Sequence, residues 1–223
     1  MNRQVRGFTL IEILVVVSIL GVLMALVSVL VVRASAHSER LQTEQLVTAY
    51  LPNAIERYKQ EFKRLPPMSM AELGKIPRYK GMAVPDNQTN ECSEVLLVAL
   101  RHPDFSAPLG EGDLPVDSPF QNTDADHWNK VPDGGTEPDA FEIVDAWGNP
   151  VVYIHKNAYN ESVRIVNAEG IEMEVNAVRK PDGSFYNPTS YQIIAIGENG
   201  EQDSTDDPDL MDDVMNFKVK AEE

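Results

Sequence analysis

The sequence predicts an α+β fold: one long N-terminal α-helix, transmembrane in its first half, packed against a small antiparallel β-sheet head. Three observations predict it. Phe8 to Val32 is a nearly unbroken apolar run. Beyond it, apolar residues recur at helical spacing as far as Leu65. After Leu65 the chain turns to short β-branched segments separated by turn residues, and most of its 15 prolines and 13 glycines fall there. The predicted organisation is a leader over residues 1–7, the helix over 8–65 and a head over 66–223, with an acidic loop at 198–213.

The 25 residues from Phe8 to Val32 rise about 38 Å as a helix, and a bilayer core needs only about 30 Å. Arg3 and Arg6 precede the run and an acidic body follows it. The positive-inside rule therefore puts residues 1–7 in the cytoplasm and the head outside. Two other readings compete. Ala34-Ser35-Ala36 imitates the cleavage site of an ordinary signal peptide, but such peptides carry an apolar core of about 7–15 residues. A plain signal anchor leaves Glu12, inside the run, without a purpose.

A carboxylate in an apolar core costs a few kcal/mol. The sequence places no Lys, Arg or His between Gly7 and Arg33, so a partner would come from a neighbouring copy. Cleavage between Gly7 and Phe8 would create an amine one helical turn from Glu12, and a staggered subunit could set its amine against this carboxylate. Arg6-Gly7-Phe8-Thr9-Leu10-Ile11-Glu12 closely resembles the leader junction of type IV prepilins and of the pseudopilins of type II secretion systems. The resemblance implies cleavage after Gly7 by a prepilin peptidase, N-methylation of Phe8, and a role for Glu12 in assembly.

Past Arg33, Leu41, Leu46, Tyr50, Ile55, Tyr58, Phe62 and Leu65 mark one buried helix face among polar residues. The helix is expected to reach about Phe62, kinked at Pro52, with Pro66-Pro67 ending it. In the head, Asn90 is expected to cap a helix over Glu91–Leu100. Residues 103–140, dominated by Pro, Gly and Asp, read as a long, partly flexible excursion. Strands are expected at Val151–Ile154, Ser162–Val166, Ile171–Val178 and Tyr191–Ile196, with a last one at Val214–Val219, and turns at Glu169-Gly170 and Asp182-Gly183. Asp145-Ala146-Trp147-Gly148-Asn149-Pro150 resembles the segment that opens the sheet in major pseudopilins. Its expected role is structural, with the indole between helix and sheet.

From Glu198 to Asp213 there are eight carboxylates and no basic residue. Like charges pinned between two strands repel unless a hard cation is shared among them, and calcium takes six to eight oxygens. The segment also resembles the calcium loop of major pseudopilins: Ile196-Gly197-Glu198-Asn199-Gly200 stands for its first half, and Asp212-Asp213-Val214-Met215-Asn216-Phe217 for its second. The resemblance implies a Ca2+ site drawing on Ile196, Asn199 and an aspartate pair. Asn199 replaces the family's first aspartate. Asp206-Asp207 lies nearer the family spacing than Asp212-Asp213, so both pairs are candidates.

The net charge is −16; residues 1–40 hold Arg3, Arg6, Arg33 and Arg40 against Glu12 and Glu39, so the remainder carries −18. So acidic a body repels phosphate backbones and speaks against nucleic-acid binding. The one cysteine, Cys92, excludes an internal disulfide and reads as a buried helical thiol. His37, His102, His127 and His155 are isolated, and no catalytic motif is present, so no enzymatic activity is expected. The resemblance implies a structural subunit of a type II secretion pseudopilus. It would be single-pass in the inner membrane with a periplasmic head, and would partner other pseudopilins in a homo-oligomeric filament, the prepilin peptidase and the inner-membrane secretion platform. The alternative is a type IV pilin or minor pilin for surface adhesion, motility or DNA uptake.

Overall fold

A computed structural model describes residues 10–76, 87–101, 105–127, 139–204 and 211–219. Gly7, Phe8, Asp206 and Asp207 lie outside them. The architecture is α+β, and the chain divides into two compact units, Met1–Glu39 and Arg40–Glu223.

The first unit is carried by helix α1, which spans Leu10–Gln45. Its stretch Leu10–Ser28 is long and apolar enough to cross a membrane, rising about 28 Å. The apolar side chains there are exposed, Leu10 to 84%. Ser18 and Ser28 donate their hydroxyls to the carbonyls of Leu14 and Met24 at 2.8 and 2.9 Å, so these polar groups are satisfied within the helix. Glu12 is an exposed residue of the first turn.

In the second unit, a π-helical turn at Leu46–Tyr50 leads into α2, Leu51–Phe62. The Leu51 N–H donates to the Leu46 carbonyl, five residues back. Pro52 lacks an N–H and crowds the carbonyl four residues before it, and the widened turn directly ahead of it is where that conflict falls. The extra residue also shifts the buried face. Leu46, Val47, Leu51, Ala54, Ile55 and Tyr58 are buried, whereas Leu41 and Tyr50, expected on that face, are each 42% exposed. The helix ends at Phe62 as expected, but Lys63 ends it, in the left-handed conformation (φ 57°), before the prolines are reached.

Two short helices come next, α3 (Met70–Leu73) and α4 (Glu91–Arg101). Asn90 does not cap α4 in the expected way. It has φ +59°, and its side chain reaches Thr123, Glu142 and Val166 instead.

The single sheet expected is three. The central one is antiparallel, with order β3 (Val152–His155), β6 (Tyr191–Ala195), β7 (Val214–Met215). Val152 pairs with Ile194, and Ala195 with Val214. Alternate residues serve two cores, as the two-residue period of a strand requires. Tyr153, Ile193 and Ala195 face the core built on α2 and α4, while Val152, Ile154 and Ile194 face a second core. The hairpin β4 (Val163–Val166) and β5 (Glu172–Val175) contributes Val163, Ile165 and Val175 to that second core. A third, two-residue pair joins β1 (Phe120–Gln121) to β2 (Glu142–Ile143). Its first strand lies where a flexible excursion was expected. Phe105, Leu109, Leu114, Val116 and Phe120 are buried in the first core, so the described part of residues 103–140 is packed rather than loose. Cys92 is free, buried and packed in the second core, and burial pushes its thiol up to about 12.

Candidate cation site in the acidic loop

The acidic loop begins where β6 ends. Ile196 is fully buried in the second core, and Gly197 turns the chain with φ +71°. Two buried asparagine amides hold the backbone from Gly197 to Gly200. Asn149 donates Nδ2 to the Gly197 carbonyl at 2.8 Å, and Asn167 donates Nδ2 to the Gly200 carbonyl at 3.1 Å. Each asparagine is itself fixed. Asn149 Oδ1 accepts from the Ala168 N–H, and its own N–H donates to Asp145 Oδ1. Asn167 Oδ1 accepts from Glu169 and Ile171 across the β4–β5 turn.

The Asp145–Asn149 turn thus braces the loop. Asp145 Oδ1 also accepts from the Trp147 N–H at 3.0 Å, and Ala146 N–H donates to the Thr43 hydroxyl at 3.1 Å. Trp147 itself is half-buried, and its indole Nε1 is buried with no hydrogen-bond partner among the described residues. Burial pushes the Asp145 carboxyl up to about 7 against three backbone donors, and Asp212 adds repulsion.

On this frame three carboxyls converge. One oxygen from each of Asp203, Asp212 and Asp213 lies within 4.8 Å of the others. Asp212 and Asp213 were candidates from the sequence; Asp203 was not. Its N–H donates to Asp213 Oδ2 at 3.1 Å, and its Oδ2 accepts from the Asp212 N–H at 2.7 Å, so the two ends of the loop are laced together. Asn199 joins them through its N–H, which donates to Asp212 Oδ2 at 2.9 Å, and through Nδ2, which donates to Asp203 Oδ1 at 3.1 Å. Its Oδ1 accepts from the Glu201 N–H at 2.7 Å.

Asp212 Oδ1 and Asp213 Oδ1 are buried and receive no hydrogen bond from the described residues. Burial, reinforced by the charges of Asp203 and Asp212, pushes the Asp213 carboxyl up to about 7, and burial raises Asp212 as well. These residues fit a hard cation: all donors are oxygens, and two oxygens on opposite sides of a calcium ion stand about 4.8 Å apart at Ca–O distances of about 2.4 Å.

Over residues 2–28 the chain matches the family model described as Prokaryotic N-terminal methylation motif. A motif of this kind marks the leader junction of type IV pilin-like prepilins, the substrates of prepilin peptidase. Neither a curated protein nor a solved structure matches the chain.

Proposed function

We propose that the protein is a structural subunit of a type II secretion pseudopilus, processed by prepilin peptidase at Gly7-Phe8 and assembled into a short periplasmic filament that drives protein export. The observation that carries this reading is the methylation motif over residues 2–28, which takes in the exposed apolar stretch Leu10–Ser28 of α1. Such a face needs lipid before assembly and neighbouring helices after it. Glu12, one turn from the new N-terminus, meets the amine of the adjacent subunit and sets the stagger between copies.

The secretion subclass is supported by the acidic loop. With no disulfide available, a calcium ion held by Asp203, Asp212 and Asp213 would supply a cross-link between the loop's two ends. The Asp206-Asp207 pair is the rival set. The head carries no catalytic function in this reading.

Deleting the gene tests the subclass. A secretion subunit predicts that exported proteins accumulate in the periplasm while surface pili remain. Normal secretion with lost pili, twitching or DNA uptake would assign the chain to the type IV pilins instead.

A further inference from the structure

Away from the acidic loop, a second group of carboxyls meets where the first turns of α4 lie against β2. Ser93 fixes that contact: its hydroxyl accepts from the Ile143 N–H at 3.0 Å and donates to the Ile143 carbonyl at 3.2 Å. The next residue, Glu94, is fully buried. One oxygen from each of Glu94, Asp124 and Glu142 lies within 4.8 Å of the others.

The three are held differently. Glu142, buried on β2, is positioned by donors: Asn90 Nδ2 at 2.8 Å, the Thr123 N–H at 3.0 Å and the Thr123 hydroxyl at 3.4 Å. Each carboxylate oxygen has two acceptor sites, so Glu142 keeps capacity for a ligand. Asp124 accepts from Asn87 Nδ2 at 2.9 Å through Oδ2, while its buried Oδ1 receives nothing. Neither oxygen of Glu94 receives a hydrogen bond from any N–H or hydroxyl of the described residues. Its neighbours are other carboxyls: Asp126 lies within hydrogen-bonding reach of it, and burial together with the charges of Asp126, Glu142 and Asp124 pushes it up to about 10. Among the described residues, no Lys, Arg or His pairs with Glu94, Asp124 or Glu142.

A buried carboxyl without donors is costly unless something neutralises it. A proton on Glu94 could serve one neighbour at a time and would leave other buried oxygens open. A cation takes an oxygen from each carboxylate at once. With only oxygens on offer, in an irregular frame, the fitting class is calcium rather than a metal that prefers sulfur or nitrogen. We propose that Glu94, Asp124 and Glu142 form a second divalent-cation site, of the calcium class, inside the head and independent of the acidic loop. The ion would staple α4 to β2 and to the turn after β1, securing the packed residues 105–127 that no disulfide can hold.

The test is calcium binding by the full-length protein in detergent, stripped with chelator and dialysed against calcium alone. Asp203→Asn, Asp206→Asn, Asp207→Asn, Asp212→Asn and Asp213→Asn together remove both candidate carboxylate sets of the loop, and this variant should still bind about one calcium per chain. Adding Glu94→Gln should abolish that binding. Asp124→Asn, at a half-exposed position that tolerates the change more readily, should also abolish it, with the far-ultraviolet circular dichroism unchanged. No calcium bound by the loop variant, or binding that survives both Glu94→Gln and Asp124→Asn, would overturn the proposal and leave these carboxyls sharing protons only.

Discussion

Gly197 and Asp212 approach so closely that a Cβ on residue 197 would stand 2.5 Å from the Asp212 carboxyl and 2.8 Å from its backbone carbon. With φ at +71°, the position also lies in the left-handed region that L side chains rarely adopt. Glycine is therefore what allows the start of the loop to sit against its end, and so allows the three carboxyls to converge.

Gly197→Ala should cost about 2 kcal/mol or more, a fall of roughly 4–8 °C in melting temperature for a head of this size. It should also weaken the calcium response, because Asp212 must move. Thermal melting of the full chain in detergent measures both. An unchanged melting temperature would mean the loop tolerates displacement and is not a built site.

Calcium at a hundredfold excess over Kd should stabilise the protein by about 2.7 kcal/mol through the loop. Asp212→Ala with Asp213→Ala should remove that share of the shift, and Asp203→Ala should weaken it. Magnesium should help less, since its octahedral shell is smaller and stricter. If Asp206→Ala with Asp207→Ala removes the response while the first pair leaves it intact, the rival pair holds the ion.

The pH dependence is carried by buried carboxyls: Asp145 and Asp213, raised to about 7 by burial, with Glu142 and Glu94 raised further in the same direction. An unfolded Asp titrates near about 3.9. The folded state thus holds these protons more tightly than the unfolded state does. The stabilisation is fully present below about pH 4 and is lost as pH rises through about 7. In chelator, the melting temperature should be higher near about pH 5 than near about pH 8. Calcium should reverse much of this loss, with its largest effect at the higher pH, because its ligands must be deprotonated. A chelator-treated protein that grows steadily more stable from about pH 5 to about pH 8 would contradict the raised carboxyls.

Glu12→Val should insert and be cleaved normally, since an apolar side chain crosses a bilayer more readily than a carboxylate. Filament assembly, read by crosslinking in cells overproducing the variant, should fall sharply. Normal filaments would assign Glu12 another purpose.

The features legible in the sequence are those set by neighbours along the chain. The apolar run, the end of α2 at Phe62, the β-branched strands β3 and β6 and the turns at Gly170 and Gly183 all arise from local composition, and the left-handed φ angles of both glycines agree. What the sequence hid depends on distant contacts. Pro52 announces a disturbance, but not that a π turn ahead of it will rotate Tyr50 outward. Asn90 has the residue type of a cap, yet its side chain is drawn to Glu142, 52 positions away. The strands β1 and β2 are two residues each and carry no periodicity. Asp203 becomes part of the loop cluster only because the chain returns at Asp212, and Glu94, on a helix whose other buried residues are apolar apart from Ser93, has a charged residue type that gives no local sign of its burial.

The most direct test of the central claim is the mass of the mature N-terminus, measured on protein extracted from membranes. The motif over residues 2–28 predicts a chain that begins at Phe8 and carries an N-methyl group. A chain that begins at His37, after Ala34-Ser35-Ala36, would mean ordinary signal-peptide cleavage, loss of α1's apolar segment and no filament subunit at all.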